Sequence, residues 1–114
     1  MTNQLKAVLM IADHSALSGC LKPAINIETE TIYWDKINYA ALSGGQQTAI
    51  SWAYSIWTDS QAPAEKGYRD LFDHFGSLDR ELQQIILTAF AFRHDTFGVP
   101  SKTEQMIKDL LKKM

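Results

Sequence analysis

The sequence predicts an α+β fold dominated by helices, four or five of them, with one short strand or β-hairpin near the N-terminus. Three observations carry that expectation. Apolar residues recur at helical spacing over most of the chain beyond Asp35, period-two alternation is confined to Ala24 to Trp34, and Gly or Pro stands where these patterns break. The 114 residues suit one compact domain, 1–114, with enough length to bury a core without disulfides or structural metal. A hydrophobic fraction of 46% with 11% aromatic is that of a globular chain, since disordered chains are poor in aromatics.

Residues 1–17 fit two patterns. Leu5, Val8, Leu9 and Ala12 share a helical face, while Ala7 to Ala12 would also serve as a buried strand; helix is the preferred reading, capped by Thr2 or Asn3. Ser18, Gly19 and Pro23 then interrupt regular structure, and Ala24 to Trp34, rich in Ile, Thr, Tyr and Trp, supplies the strand or hairpin. Asp35 is expected to cap a short turn through Tyr39.

The next helix, Gln46 to about Thr58, carries Ala49, Ile50, Trp52, Ala53, Tyr54, Ile56 and Trp57 and is apolar on nearly every side, as a central helix would be. Pro63 opens a further expected helix, with Tyr68, Leu71, Phe72 and Phe75 on one face up to Gly76. Ser77 starts another, with Asp79 and Glu81 in its first turn and Leu78, Leu82, Ile85, Ile86, Ala89 and Phe92 following to about Arg93. Ser101-Lys102-Thr103-Glu104 reads as the capping box of a last helix, whose stripe is Met106, Ile107, Leu110, Leu111 and Met114.

Charge and cysteine content narrow the function classes. Eleven basic against thirteen acidic residues leave a net charge of -2, too small for the broad positive field that collects nucleic-acid phosphates. Lys102, Lys108, Lys112 and Lys113 are interleaved with acids and suit a helix C-terminus, so nucleic acid is a disfavoured partner. Cys20 is the single cysteine, which excludes an internal disulfide and points to a reducing, cytoplasmic setting. Leu5 to Ala12 is the longest nearly apolar run and is far short of the ~20 residues that span a bilayer.

The chemistry-bearing string is Leu42-Ser43-Gly44-Gly45-Gln46. Over these five residues it resembles the signature motif of ABC-type ATPases, and the resemblance implies that the Ser43 and glycine amides meet the γ-phosphate of ATP held by an opposite subunit. No glycine-rich loop followed by Lys and Ser or Thr accompanies it, so the chain by itself is not such an ATPase. Ser43 and Gln46 also form a capping box, which accounts for both without a ligand. Two consecutive glycines in the first helical turn are not accounted for by capping, because each costs up to about 1 kcal/mol relative to alanine. Free amides at a helix start favour anions, and glycine permits close approach of a partner.

A second resemblance rests on His74, His94-Asp95 and Asp109, which are similar to the ligand pattern of HD-type metal phosphohydrolases. It implies a cation held where those side chains converge, and the alternative is histidines complementing helix C-termini. No serine elbow, paired catalytic carboxylates or Cys/His arrangement is present. The aromatic group Tyr33, Trp34, Tyr39, Trp52, Tyr54 and Trp57 supplies either core or contact surface, and Trp34, Trp52, Tyr54 and Trp57 are the interface candidates.

The reading is therefore a small non-enzymatic protein-interaction module, a regulator, adaptor or inhibitor of a protein partner, with no cofactor, no metal and room for a homodimer. The alternative is a nucleotide- or anion-responsive module using Ser43, Gly44, Gly45 and Gln46, or a nucleic-acid-associated protein.

Overall fold

The computed structural model describes residues 1–94 and 109–113. Three helices share the core: α1 (Asn3–Ala12), α2 (Gly44–Thr58) and α3 (Arg80–Arg93), and a two-stranded antiparallel hairpin, β1 (Ile25–Asn26) with β2 (Thr31–Ile32), lies between the first two in sequence. The architecture is predominantly helical α+β, as the periodicity predicts. Among the described residues no helix is long and apolar enough to cross a membrane.

Each helix begins where a side chain can accept from its free amides. Thr2 Oγ1 accepts from Leu5 N–H at 3.3 Å, Ser43 Oγ from Gln46 N–H at 3.2 Å and Asp79 Oδ1 from Leu82 N–H at 2.7 Å. The first 17 residues thus open with a helix rather than a strand. α2 starts at Gly44, two residues before the expected Gln46, because the glycines themselves form its first turn. α3 starts at Arg80 rather than Ser77: Asp79 is its cap, not a member of its first turn, and the preceding residues Phe75–Ser77 form a separate 3₁₀ turn.

The core is built from matched large and small side chains. Leu5, Val8 and Ile11 of α1, Ile50 and Ile56 of α2, and Leu82 and Ile86 of α3 are buried together with Ala7, Ala12, Ala49, Ala53 and Ala89. The alanines let the helix backbones approach while the branched residues fill the gaps between them. Leu17 and Leu21, in the turns after α1, close one end of this core. At another end Arg93 Nε donates to Ile56 O at 3.1 Å, tying the last turn of α3 to that of α2.

Two expected elements are absent in the form the sequence suggests. Asp35 caps nothing: it sits inside a 3₁₀ turn, Trp34–Lys36, that has no side-chain cap, and a second such turn spans Tyr39–Ala41. The helix expected from Pro63 to Gly76 is instead a strap of turns and irregular backbone: its first 3₁₀ turn, Ala64–Lys66, stops at Gly67 in a left-handed conformation with φ 90°, and it runs into the 3₁₀ turn Phe75–Ser77. A capping box at Ser101–Glu104 and most of the last apolar stripe lie outside the described residues; Leu110 and Leu111 of that stripe are exposed.

The strap is held by α2. Thr48, Ser51, Trp52 and Ser55 recur at helical spacing on one buried face, and each bonds to strap backbone. Thr48 Oγ1 donates to Asp73 O at 3.4 Å, Trp52 Nε1 to Leu71 O at 2.7 Å, Arg69 N–H donates to Ser51 Oγ at 3.1 Å and Ala62 N–H to Ser55 Oγ at 2.9 Å. A chain without repeating secondary structure must find partners for its buried peptide groups elsewhere, and here the helix side chains supply them. α2 is central, but one of its four sides is polar.

Candidate functional site

The turn at Ser43–Gln46 is fully formed. Ser43 N–H donates to Gln46 Oε1 at 3.0 Å, completing the capping box, and Gln46 Nε2 donates to Ala16 O at 2.8 Å, clipping the start of α2 to the turn after α1. Ser43 and Gly44 are exposed, while Gly45 and Gln46 are partly buried. A methyl group placed on Gly44 would lie 3.6 Å from Arg69 Nη2, and one on Gly45 would lie 3.4 Å from Leu78 Cδ2, both ordinary van der Waals contacts. Packing among the described residues therefore does not require glycine at either position.

Arg69 adds a charge to that helix start. Its Nε donates to Gln47 Oε1 at 2.9 Å, which holds the guanidinium beside Gly44, and its backbone N–H is shared by Tyr39 Oη at 3.0 Å and Ser51 Oγ. No spacing rule reveals this juxtaposition in the sequence, because the two positions are 25 apart, with the rest of α2 and irregular backbone between them.

The four aromatic candidates are placed differently from one another. Trp52 is only 7% exposed and packs against Phe72, Phe75 and Phe90, with ring centroids 6.4, 5.4 and 6.1 Å away. Trp34, Tyr54 and Trp57 are partly buried. Trp34 and Tyr54 meet edge-on at 5.1 Å and 66°, and Tyr54 continues to Tyr68 at 4.8 Å. Trp52 and Tyr54 are two residues apart, so their rings leave nearly opposite sides of α2. The strap and the residues after β2 thus add aromatic contacts to α2, which packs chiefly against α1 and α3.

Phe72, Leu87 and Phe90 are among the exposed apolar side chains; the sequence pattern places Phe72 on a helix face and singles out neither Leu87 nor Phe90. Phe72 is 81% exposed and Leu87 and Phe90 about half exposed, and the two rings both lean on Trp52. Phe72 looked like a core residue because the strap was expected to be a helix; the signal that could have flagged it was Gly67, which interrupts that helix. Its backbone is fixed, since Trp52 holds the Leu71 carbonyl and Phe72 N–H donates to Asp70 Oδ1 at 2.9 Å.

The histidines do not come together. His14 lies 3.8 Å from Asp79, His74 3.3 Å from Asp73 and His94 3.2 Å from Asp59. Among the described residues no three His, Cys, Asp or Glu side chains are grouped to hold a metal, and Asp95 lies outside them. Lys112 and Lys113 are exposed, and Lys102 and Lys108 lie outside the described residues. Burial pushes the Cys20 thiol above its ordinary value, which disfavours the thiolate. Comparison with known proteins gave no match: no protein-family model, no curated protein and no solved structure is similar enough to lend this chain a family.

Proposed function

We propose that this chain is a non-enzymatic protein-interaction module, acting as a regulator, adaptor or inhibitor, and that Phe72, Phe90 and Leu87 form its contact surface, backed by Trp52. The observation that carries the reading is Phe72: a large ring 81% in water on a backbone pinned by hydrogen bonds. An aromatic side chain held out by a fixed backbone loses little freedom on docking, which is what makes an effective anchor. Leu87 and Phe90 are three residues apart on α3 and share a face, extending the surface along the helix.

The test is a crosslinked pull-down from the source lysate with wild type and with Phe72→Ser/Phe90→Ser, alongside light scattering over a dilution series. A stoichiometric partner, or self-association, that the double variant loses supports the reading. A wild type that stays monomeric and captures nothing overturns it.

Arg69 favours a second reading, in which the Ser43–Gln46 turn responds to a nucleotide or other anion. Its guanidinium stands beside Gly44, whose amide, like that of Gly45, is at a helix start and makes no intrahelical bond. Titration with phosphate and ATP should then shift the Gly44 and Gly45 amide resonances, and unchanged resonances remove this reading.

A further inference from the structure

Among the described residues, the large apolar side chains left in water fall into three groups. Met1, Ile27 and Tyr33 lie at the N-terminus and in or just after the hairpin; Phe72 and Phe90 lean on Trp52, with Leu87 beside Phe90 on α3; and Leu110 and Leu111 belong to the helical stretch 109–112.

The second group is flanked by carboxylates. Phe72 is the third residue of a turn that Asp73 N–H closes on Asp70 O at 3.1 Å, so an acid stands on either side of it, and both acids are exposed. Asp70 Oδ1 accepts from Phe72 N–H at 2.9 Å, which fixes one carboxylate beside the backbone that carries the ring. The basic groups nearby are engaged: Arg69 donates to Gln47 Oε1, Arg93 donates to Ile56 O, and His94 lies 3.2 Å from Asp59. His74, 3.3 Å from Asp73, reduces that charge only when protonated.

The third group carries the opposite sign. Successive helical residues are about 100° apart, so Leu110 and Leu111 look one way and Lys112 and Lys113 the other, all four exposed. Residues 101–114 hold four lysines against two acids, whereas 1–100 hold seven basic residues against eleven acidic ones. The other places where leucines rimmed by lysines could settle are already supplied with cations. On the hairpin, Lys36 sits 4.4 Å from the Tyr33 ring centroid, and in the groove of Met10 and Ile85 between α1 and α3 the Asp13 carboxylate is bonded by Lys22 at 3.3 Å.

This inference rests on the Phe72 surface being a contact site: we propose that its occupant is a second copy of this chain. That copy lays Leu110 and Leu111 against Phe72, Leu87 and Phe90 and brings Lys112 and Lys113 to Asp70 and Asp73. A two-fold axis makes the exchange reciprocal, so each copy gives one patch and receives the other, and the dimer closes. Apolar burial supplies the affinity, while the charges set the register and are screened by salt.

The test is sedimentation of the full chain over a dilution series at low salt, with ¹H–¹⁵N spectra at each concentration. Wild type should pass from monomer to dimer as concentration rises, shifting the amides of Phe72, Leu87, Phe90, Leu110 and Leu111, and added salt should oppose it. Asp70→Asn/Asp73→Lys and Lys112→Glu/Lys113→Glu should each raise the dissociation constant about tenfold or more. An equimolar mixture of the two should dimerise again, because the reversed patches complement each other. Asparagine keeps the acceptor for Phe72 N–H, and recovery in the mixture shows that neither variant has lost its fold. Leu110→Ser/Leu111→Ser changes no charge and should weaken the dimer by a similar factor. A chain monomeric at every concentration overturns the inference; if Phe72→Ser/Phe90→Ser still loses a partner from lysate, the contact surface stands without it. Shifts at Phe72 that follow substitution of Leu110 and Leu111 at every concentration assign the docking to one chain and overturn the second copy. A dimer indifferent to both charge reversals, or one whose shifts map to Met10 and Ile85, overturns the pairing as well.

Discussion

The Tyr68 phenol is packed between Tyr39 and Tyr54, and its environment opposes ionisation. Burial, then the neighbouring Tyr54, Tyr39 and Asp35, push its pKa up from 10.0 to about 12. A proton held more tightly in the folded than in the unfolded chain stabilises the fold fully below the unfolded pKa. That contribution is lost as pH rises from about 10 through about 12. Alkaline unfolding curves should show this slope in the wild type and less of it in Tyr68→Phe, which cannot ionise. Gly44 supports a second expectation. Its conformation is helical and a methyl group there meets ordinary contacts, so Gly44→Ala should stabilise the protein by about 0.4–1 kcal/mol in urea denaturation. If that same variant loses a partner or an anion, glycine is there for the contact rather than for the fold.

Among the elements, the strap over α2 departs furthest from the sequence pattern. Tyr68, Leu71, Phe72 and Phe75 do recur at helical spacing, yet the segment gains more from pairing its peptide groups with Ser51, Trp52 and Ser55 than from winding on itself. Gly67, in the left-handed conformation, ends the 3₁₀ turn Ala64–Lys66 before it can grow into a helix. Ser55→Ala should therefore cost about 1–3 kcal/mol, because it strands the buried Ala62 N–H without an acceptor. Equilibrium unfolding measures the cost, and faster amide exchange at Ala62 would place it in the strap. Ser51→Ala should cost less, since Arg69 N–H keeps the Tyr39 hydroxyl as a second acceptor.

At the scale of the whole molecule, stability rests on the place where the three helices meet. Ile50, Ile11 and Ile86 are fully buried in one cluster with Ala49, Ala53 and Ala89. Ile50→Ala should cost about 2–5 kcal/mol, read as a lower denaturant midpoint, because surrounding helices cannot collapse fully into the void. Phe72→Ser should cost almost nothing by the same measurement, its ring being mostly in water. That contrast separates a residue that holds the fold from one that faces a partner.

The sequence by itself determined α2, α3, the position of the hairpin and the capping box at Ser43 and Gln46, and it favoured helix over strand for α1 without deciding between them. Each follows from local spacing or from a side chain reaching its own backbone within four residues. Tertiary structure decided whether 63–76 would be a helix, which aromatic rings would be inside, and what stands beside the glycine turn. Those outcomes depend on contacts across the chain: Trp52 with Leu71, Ser55 with Ala62, and the Arg69 guanidinium beside Gly44. Periodicity records which residues are apolar together. It does not record which backbone a buried hydroxyl will find, and that pairing left Phe72 in water and Trp52 in the core.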